Sequence, residues 1–156
     1  MLALPLLLSC GALLVSADAS DPVRTGSIVA TVTVAPRLSL DLSTRTLRFQ
    51  VAEGREKATA EVTFSAGMRT SPGREVLLIV EPLADVTGPA GAAALEALVT
   101  FAGEGNGGVS GVLSAAERSV AGRWVGGGHR KGRLLFTLRA APGDYALPIR
   151  FLLSDP

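Results

Sequence analysis

The only histidine of the chain, His129, is the first residue to test for chemistry. It lies in a glycine-rich run directly before Arg130 and Lys131. Two neighbouring cations would weaken the imidazole as a general base and repel a metal ion. A zinc site needs three or four His, Cys or carboxylate ligands, and a Ser-His-Asp triad would also have to use this residue. The sequence therefore predicts a solvated loop residue at His129, not a catalytic or metal-binding one.

Two glycine-rich loops, Gly103–Gly108 and Gly126–Gly132, are candidates for phosphate binding. Neither loop matches GxxxxGK[ST], and neither lies between a strand and a helix of a βαβ unit. Glycine also supplies the positive φ angles that hairpin tips require. We therefore interpret both loops as connections between strands.

The carboxylates are the remaining route to chemistry, because two of them suffice for glycoside hydrolysis. Glu53, Glu56 and Glu61 lie in or beside one polar turn, where solvated side chains are expected. No EF-hand calcium loop and no G-x-S-x-G nucleophile elbow occurs. The other carboxylates considered are scattered over separate turns: Asp85, Glu104 and Asp144. These observations predict a protein that is not an enzyme and that needs no cofactor or metal.

Alternation of apolar and polar residues predicts that the chain is built from β-strands. The two clearest runs, Leu134–Leu138 and Tyr145–Leu153, are joined by a Pro-Gly turn. Val76–Val80 is apolar throughout, which predicts a central strand covered on both faces. Shorter alternating runs predict the other strands: Ser27–Val34, Leu38–Leu42, Leu47–Val51, Ala58–Phe64 and Val99–Phe101.

Eight to ten short strands separated by turn signals are typical of an all-β, two-sheet antiparallel β-sandwich of immunoglobulin-like type. The stretch 89–98 is the exception, since its proline near the start and its alanines favour one short helix over a small-residue loop. Large side chains of the alternating runs are expected to form the core: Trp124, Phe136, Tyr145, Ile149 and Phe151.

One local pattern is more specific than alternation. Leu138, Pro142, Gly143 and Tyr145 resemble the tyrosine corner of immunoglobulin-like and fibronectin-type sandwiches, in which the tyrosine hydroxyl bonds the backbone a few residues upstream. The alternative is an ordinary half-buried strand aromatic. Pro148 lies in the middle of the following strand and predicts a sheet edge or an interruption, because proline donates no ladder hydrogen bond.

The first nineteen residues differ from the rest of the chain. Residues 1–19 are apolar and end in Ala17-Asp18-Ala19, a small-x-small pattern that predicts a secretory signal peptide. The alternative is a lipoprotein, because Leu7-Leu8-Ser9-Cys10 weakly resembles a bacterial lipobox. A flexible leader, 20–26, would then precede a single sandwich domain, 27–156.

Charge and composition exclude several partners. Without Asp18, 15 basic and 13 acidic side chains remain, and a net charge of +2 is too balanced to predict nucleic-acid binding. Aromatic residues make up 4% of the chain, which does not support a carbohydrate platform of stacked rings. No apolar run beyond the leader region has the ~20 residues of a transmembrane helix. Cys10 is the only cysteine, so the mature domain can form no internal disulfide.

In layout the chain resembles bacterial secreted β-sandwich proteins of the fimbrial-subunit and spore-coat-U type. The shared features are the signal peptide, a strand over Ile28–Val34 at the start of the mature domain, and the closing segment Gly143–Ile149. The resemblance implies a structural role outside the cytoplasm, but the paired cysteines common in such subunits are missing. The sequence thus favours a non-catalytic secreted or periplasmic accessory or binding domain of the cell envelope. The alternative is a fimbrial or coat-type subunit that assembles by β-strand addition through sheet edges.

Overall fold

The structure, a computed structural model, describes residues 37–91, 97–114 and 117–156. The predicted signal peptide, the leader and the predicted strand Ser27–Val34 lie outside these residues. The described chain forms nine strands: β1 (Arg37–Leu42), β2 (Thr46–Val51), β3 (Lys57–Arg69), β4 (Glu75–Pro82), β5 (Leu98–Glu104), β6 (Ser110–Val112), β7 (Ser119–Val125), β8 (Gly128–Arg139) and β9 (Gly143–Ser154). The alternating runs that fall within the described residues therefore form the strands that the sequence predicts.

The strands form two antiparallel sheets. One has the order β1-β3-β8-β5-β6 and the other the order β2-β9-β4-β7. Alternate residues of each strand point between the sheets, which is why the period-2 runs bury one face. The prediction of an all-β, two-sheet antiparallel sandwich is confirmed. The largest fully buried side chains are Phe136, Leu47, Leu78, Leu134, Leu138, Leu147 and Ile149.

Strand β4 is central, as its composition predicts, but it is not covered on both faces. It lies between β9 and β7, and Val76, Leu78 and Val80 are fully buried against the opposite sheet. Leu77 and Ile79 point away from the core and are only half-buried. The prediction of a strand buried on both faces is wrong, because only one layer of the described chain packs against β4.

The predicted short helix over 89–98 is wrong at both of its ends. Pro89–Gly91 form a single 3₁₀ turn, and Leu98 already belongs to β5. Residues 92–96 lie outside the described part of the chain. Proline suits the first position of a helical turn, and Gly91 ends this one with a φ of 75°.

The second glycine-rich stretch is mostly strand. The tight turn is confined to Gly126 and Gly127, and β8 begins at Gly128. His129, Arg130 and Lys131 are therefore strand residues, which corrects the prediction of a long loop. Pairing with the end of β3 accounts for this, since His129 lies opposite Gly67.

One side of the sandwich is closed by main-chain hydrogen bonds between the sheets. The segment after β5 turns at Gly105 and Gly107, both with positive φ, and then runs along the free edge of β7. The Val109 N–H donates to the Ala121 carbonyl (3.1 Å), and the Arg123 N–H donates to the Gly107 carbonyl (2.8 Å). At this side, edge strand β7 therefore has a partner.

The opposite side is covered by a chain that changes sheets. β1 pairs with only the second half of β3, ending with Leu42 opposite Phe64. The chain then crosses at Ser43–Arg45, where the Ser43 N–H donates to the Thr63 carbonyl (3.0 Å) and the Arg45 carbonyl accepts from Ile149 (3.0 Å). β2 continues in the other sheet. Each sheet is thus covered along only half of its edge on this side.

Candidate functional site

The tyrosine corner forms at the start of β9. The Tyr145 hydroxyl donates to the carbonyl of Ala141 at 2.8 Å, and its ring is buried. Pro142 and Gly143 turn the chain between the two residues. Gly143 has a φ of 149°, and a Cβ there would lie 2.5 Å from Pro89 Cγ. This position therefore requires glycine, and the corner fixes the line along which β9 enters its sheet.

The other large residues singled out from the sequence lie in the core. Trp124 on β7 is buried, its indole N–H donates to the Asn106 carbonyl at 2.8 Å, and its ring contacts Phe64 at a centroid distance of 5.9 Å. Phe136 on β8 packs edge-on against Phe151 of β9, with centroids 6.4 Å apart. Each ring contact joins one sheet to the other. These four aromatic residues therefore hold the core together: Phe64, Trp124, Phe136 and Phe151.

Pro148 does not lie on an edge strand, since β9 is an interior strand paired with both β2 and β4. Proline is tolerated there because the ladder between β4 and β9 ends at Pro82 opposite Ile149. The Pro148 carbonyl still accepts a hydrogen bond from the Leu83 N–H (2.9 Å). The expectation of an edge is therefore wrong. β9 itself runs through Pro148 without a break, and only its ladder with β4 is interrupted there.

The second half of β9 has an open edge, which we define as the β2-facing peptide groups of Phe151 and Leu153. β2 pairs with β9 only from Gly143 to Pro148, and the Arg45 carbonyl then accepts from Ile149. Peptide groups alternate in direction along a strand, so Phe151 and Leu153 present their N–H and C=O groups to the same side as Ile149. Within the described residues no strand pairs with them on that side.

The open edge is lined by apolar side chains. Phe151 and Leu153 face the core, and β1 of the other sheet presents Leu38, Leu40 and Leu42 towards the same core. These three leucines and Leu153 are only half-buried, although their strand neighbours Ser39 and Asp41 are fully exposed. Core-facing leucines that stay accessible indicate that the described sandwich is incompletely covered here.

The corresponding half-edge of β3 has a different character. Lys57, Thr59 and Glu61 direct their peptide groups to the side that β1 leaves uncovered, and all three side chains are exposed. Charged and polar residues on a free edge discourage the pairing of another chain. The apolar edge of β9 lacks this protection.

The end of β9 is anchored, so its open edge has a defined position. Asp155 follows the strand and accepts hydrogen bonds from Thr70 Oγ1 (3.1 Å) and Arg74 Nε (2.8 Å). Arg150, in the middle of the strand, pairs with Glu81 on β4, which also contacts Arg118 (3.3 Å). These ion pairs lie on the exposed face of the sheet and leave the β2-facing side free.

The carboxylates considered for catalysis are not gathered into one cluster in the described part of the chain. Glu61 and Glu104 come together only through Arg133, which bonds both carboxylates. The hydrogen bond that Arg133 donates to Glu104, and then the charges of Glu104 and Glu61, raise the pKa of the Arg133 guanidinium. Glu53, Glu56, Asp85 and Asp144 form no ion pair among the described residues, and no group of three metal-ligating side chains occurs there.

Two further findings bear on what the chain is. No helix in the part of the chain that the structure describes combines the length and apolar character needed to cross a membrane. Searches against protein-family models, curated proteins and solved structures found no match.

Sequence reasoning placed a sheet edge in the last strand because of Pro148, but it did not show that the open part is the half that follows Pro148. Alternation identifies β1, β2 and β9 correctly, but it does not reveal which of them are neighbours. The half-edge exists because Ser43–Arg45 leave one sheet for the other, and pairing between distant segments decides that. Ser43, Thr44 and Arg45 are three polar residues between the alternating runs of β1 and β2. They are the one local signal of the crossing.

Proposed function

We propose that this chain is a non-catalytic, secreted or periplasmic protein of the cell envelope that binds an extended segment of a partner protein along the open edge of β9. The unpaired peptide groups of Phe151 and Leu153, beside the half-buried leucines of β1, carry this proposal. Strand addition derives affinity from main-chain hydrogen bonds and specificity from alternate side chains. The open edge offers both.

The dimensions of the open edge define the partner. From Ile149 to Ser154 β9 extends roughly 17 Å at the usual rise per residue. A partner segment of about five residues would fill it. Its inward side chains would meet Leu40, Leu42 and Leu153, so they should be apolar, whereas the outward ones would face water. The expected ligand is therefore a short alternating strand.

A second candidate function follows from the sequence of this chain itself. Ser27–Val34 alternates apolar and polar residues and ends two residues before β1 begins. It has the length and pattern that the open edge requires. If the segment comes from a second copy, the protein is a fimbrial or coat-type subunit that assembles by strand addition.

The substitution Leu153→Pro tests the site. It removes an N–H that faces the open side and leaves the hydrogen bonds between β4 and β9 intact, because those belong to Leu152 and Ser154. The mature protein should stay folded and lose strand binding. Thr59→Pro is the matched control, because its N–H faces the polar free half-edge of β3.

Light scattering after size exclusion, over a range of concentrations, separates the two candidate functions. A subunit should show a mass that rises with concentration, unchanged in Thr59→Pro and reduced to a monomer in Leu153→Pro. A binding domain should be monomeric throughout. In that case a photo-crosslinking amino acid at Leu153, expressed in the native cells, should capture another protein. A monomer without any such adduct would overturn the proposal.

A further inference from the structure

A cluster of cations lies on the exposed face of the five-stranded sheet. Arg37 on β1 stands directly opposite Arg69 on β3. Beside them, His129 stands opposite Gly67, and Lys131 stands opposite Ser65. The side chains of these residues are all exposed: Arg37, Arg69, His129 and Lys131.

The cations of this cluster have no carboxylate partners among the described residues. Five other arginines of the described chain form ion pairs with carboxylates: Arg74, Arg118, Arg123, Arg133 and Arg150. Asp41 is the other charged residue of β1, but it lies four positions from Arg37, about 13 Å along the strand. Like charges directly opposite each other repel, so an anion bound between Arg37 and Arg69 would be favoured.

A depression in the sheet surface lies between these cations. The Ser39 side chain covers Gly67: its Oγ donates to the Gly67 carbonyl (3.4 Å) and would lie 2.6 Å from a Cβ at that position. An open groove of about 650 Å³ passes these two residues, lined by Arg37, Leu38, Ser39, Gly67, Met68 and Arg69, and we name it the Gly67 groove. His129 stands opposite Gly67, and a hydrogen bond joins its Nε2 to Ser65 Oγ (3.0 Å). The groove therefore lies at the same place on the sheet as the cations Arg37 and Arg69.

We propose that the Gly67 groove binds an anionic polysaccharide, through its carboxylate or phosphate groups. The planar guanidinium groups of Arg37 and Arg69 suit such groups, which they can bind through two parallel hydrogen bonds. Lys131 lies four residues from Arg69 in register, about 13 Å away, so a chain with repeated charges reaches cations that a single anion cannot. Ser39 adds a hydroxyl for the sugar.

The same surface is unsuited to a lipid bilayer. The large apolar side chains that are exposed in the described chain are Leu83, Leu98, Val112 and Val125, and none of them lines the groove. Insertion into a membrane interface needs such side chains beside the cations. Binding through charge and hydroxyl groups also agrees with the low aromatic content, which leaves no ring for sugar stacking.

The test uses the mature protein at low salt, with polygalacturonate as the carboxylate probe and dextran sulfate and neutral dextran for comparison. Calorimetry should show binding to polygalacturonate, weakening as salt screens the charges, and none to neutral dextran. The double substitution Arg37→Gln with Arg69→Gln should weaken binding to polygalacturonate about tenfold or more, because the bidentate contacts are lost. The control pair, Lys57→Gln with Arg139→Gln, removes the same charge from opposed cations at the other end of the face.

A groove-filling variant separates the site from general electrostatic attraction. Gly67→Val with Ser39→Ala keeps every charge and should also abolish binding, while circular dichroism verifies the fold. Equal losses in the two charge-removing pairs would overturn the proposal. So would binding that survives in the filled groove, binding of dextran sulfate alone, or binding to phosphatidylglycerol vesicles without binding to polygalacturonate.

Discussion

At the residue scale, the Tyr145 hydroxyl holds the turn into β9 by one hydrogen bond. Tyr145→Phe keeps the buried ring and removes only the bond to the Ala141 carbonyl. Ala141 is exposed, so water can replace the lost donor. We therefore expect a loss of about 0.5–1.5 kcal/mol in the free energy of unfolding, measured by urea denaturation. Tyr145→Leu is the comparison and should cost more because it also removes ring burial; an unchanged midpoint in Tyr145→Phe would contradict the corner's role.

Single residues were the level at which the sequence was most informative. Trp124, Phe136 and Phe151 were expected in the core because they are the large members of alternating runs, and all three are buried. His129 was misplaced into a loop because glycines surround it. The backbone of Gly128 and Gly132 can follow a strand as well as a turn, and pairing with β3 selects the strand.

At the scale of elements, the direction of each peptide group in β9 can be tested with two neighbouring prolines. Leu152→Pro removes an N–H that pairs with Ile79 of β4 and leaves a partly buried acceptor without its donor. It should lower the free energy of unfolding by about 1–3 kcal/mol. Leu153→Pro should cost clearly less, since its N–H faces the open edge. Thermal melts of both variants measure this difference. Equal losses of stability would show that the peptide groups on both sides of β9 are hydrogen-bonded.

The elements also show which part of the fold could not be predicted from the sequence, namely the order of the strands. Periodicity predicted β1, β2 and β9 because each buries one face, and burial is a local property of the pattern. The order β2-β9-β4 and the crossing at Ser43–Arg45 depend on which distant segments pair, and loop closure and register decide that. The open edge and the Gly67 groove both arise from such pairing. Arg37 and Arg69 are far apart in the sequence and meet only through the register of β1 with β3.

At the scale of the whole molecule, the sandwich is asymmetric. Main-chain bonds from Gly107 and Val109 close the side at β7. The other side divides its cover between two sheets and leaves one polar and one apolar half-edge. The two proposed sites fall on this second side: β1 contributes Leu40 to the open edge and Arg37 to the Gly67 groove. Both proposed sites thus use β1, and Leu38 lines both of them.

Export is the whole-molecule property on which both proposals rest, and the apolar residues 1–19 predict it. Cleavage after Ala19 would leave a chain that starts at Ser20 and contains no cysteine. Such a domain must be held by its core alone, so its melting temperature should be the same with and without a reductant. Intact-mass measurement of the exported protein should give the mass of Ser20–Pro156. Retention of Met1, or a diacylglycerol group on Cys10, would refute this processing and place the sandwich on a lipid anchor instead.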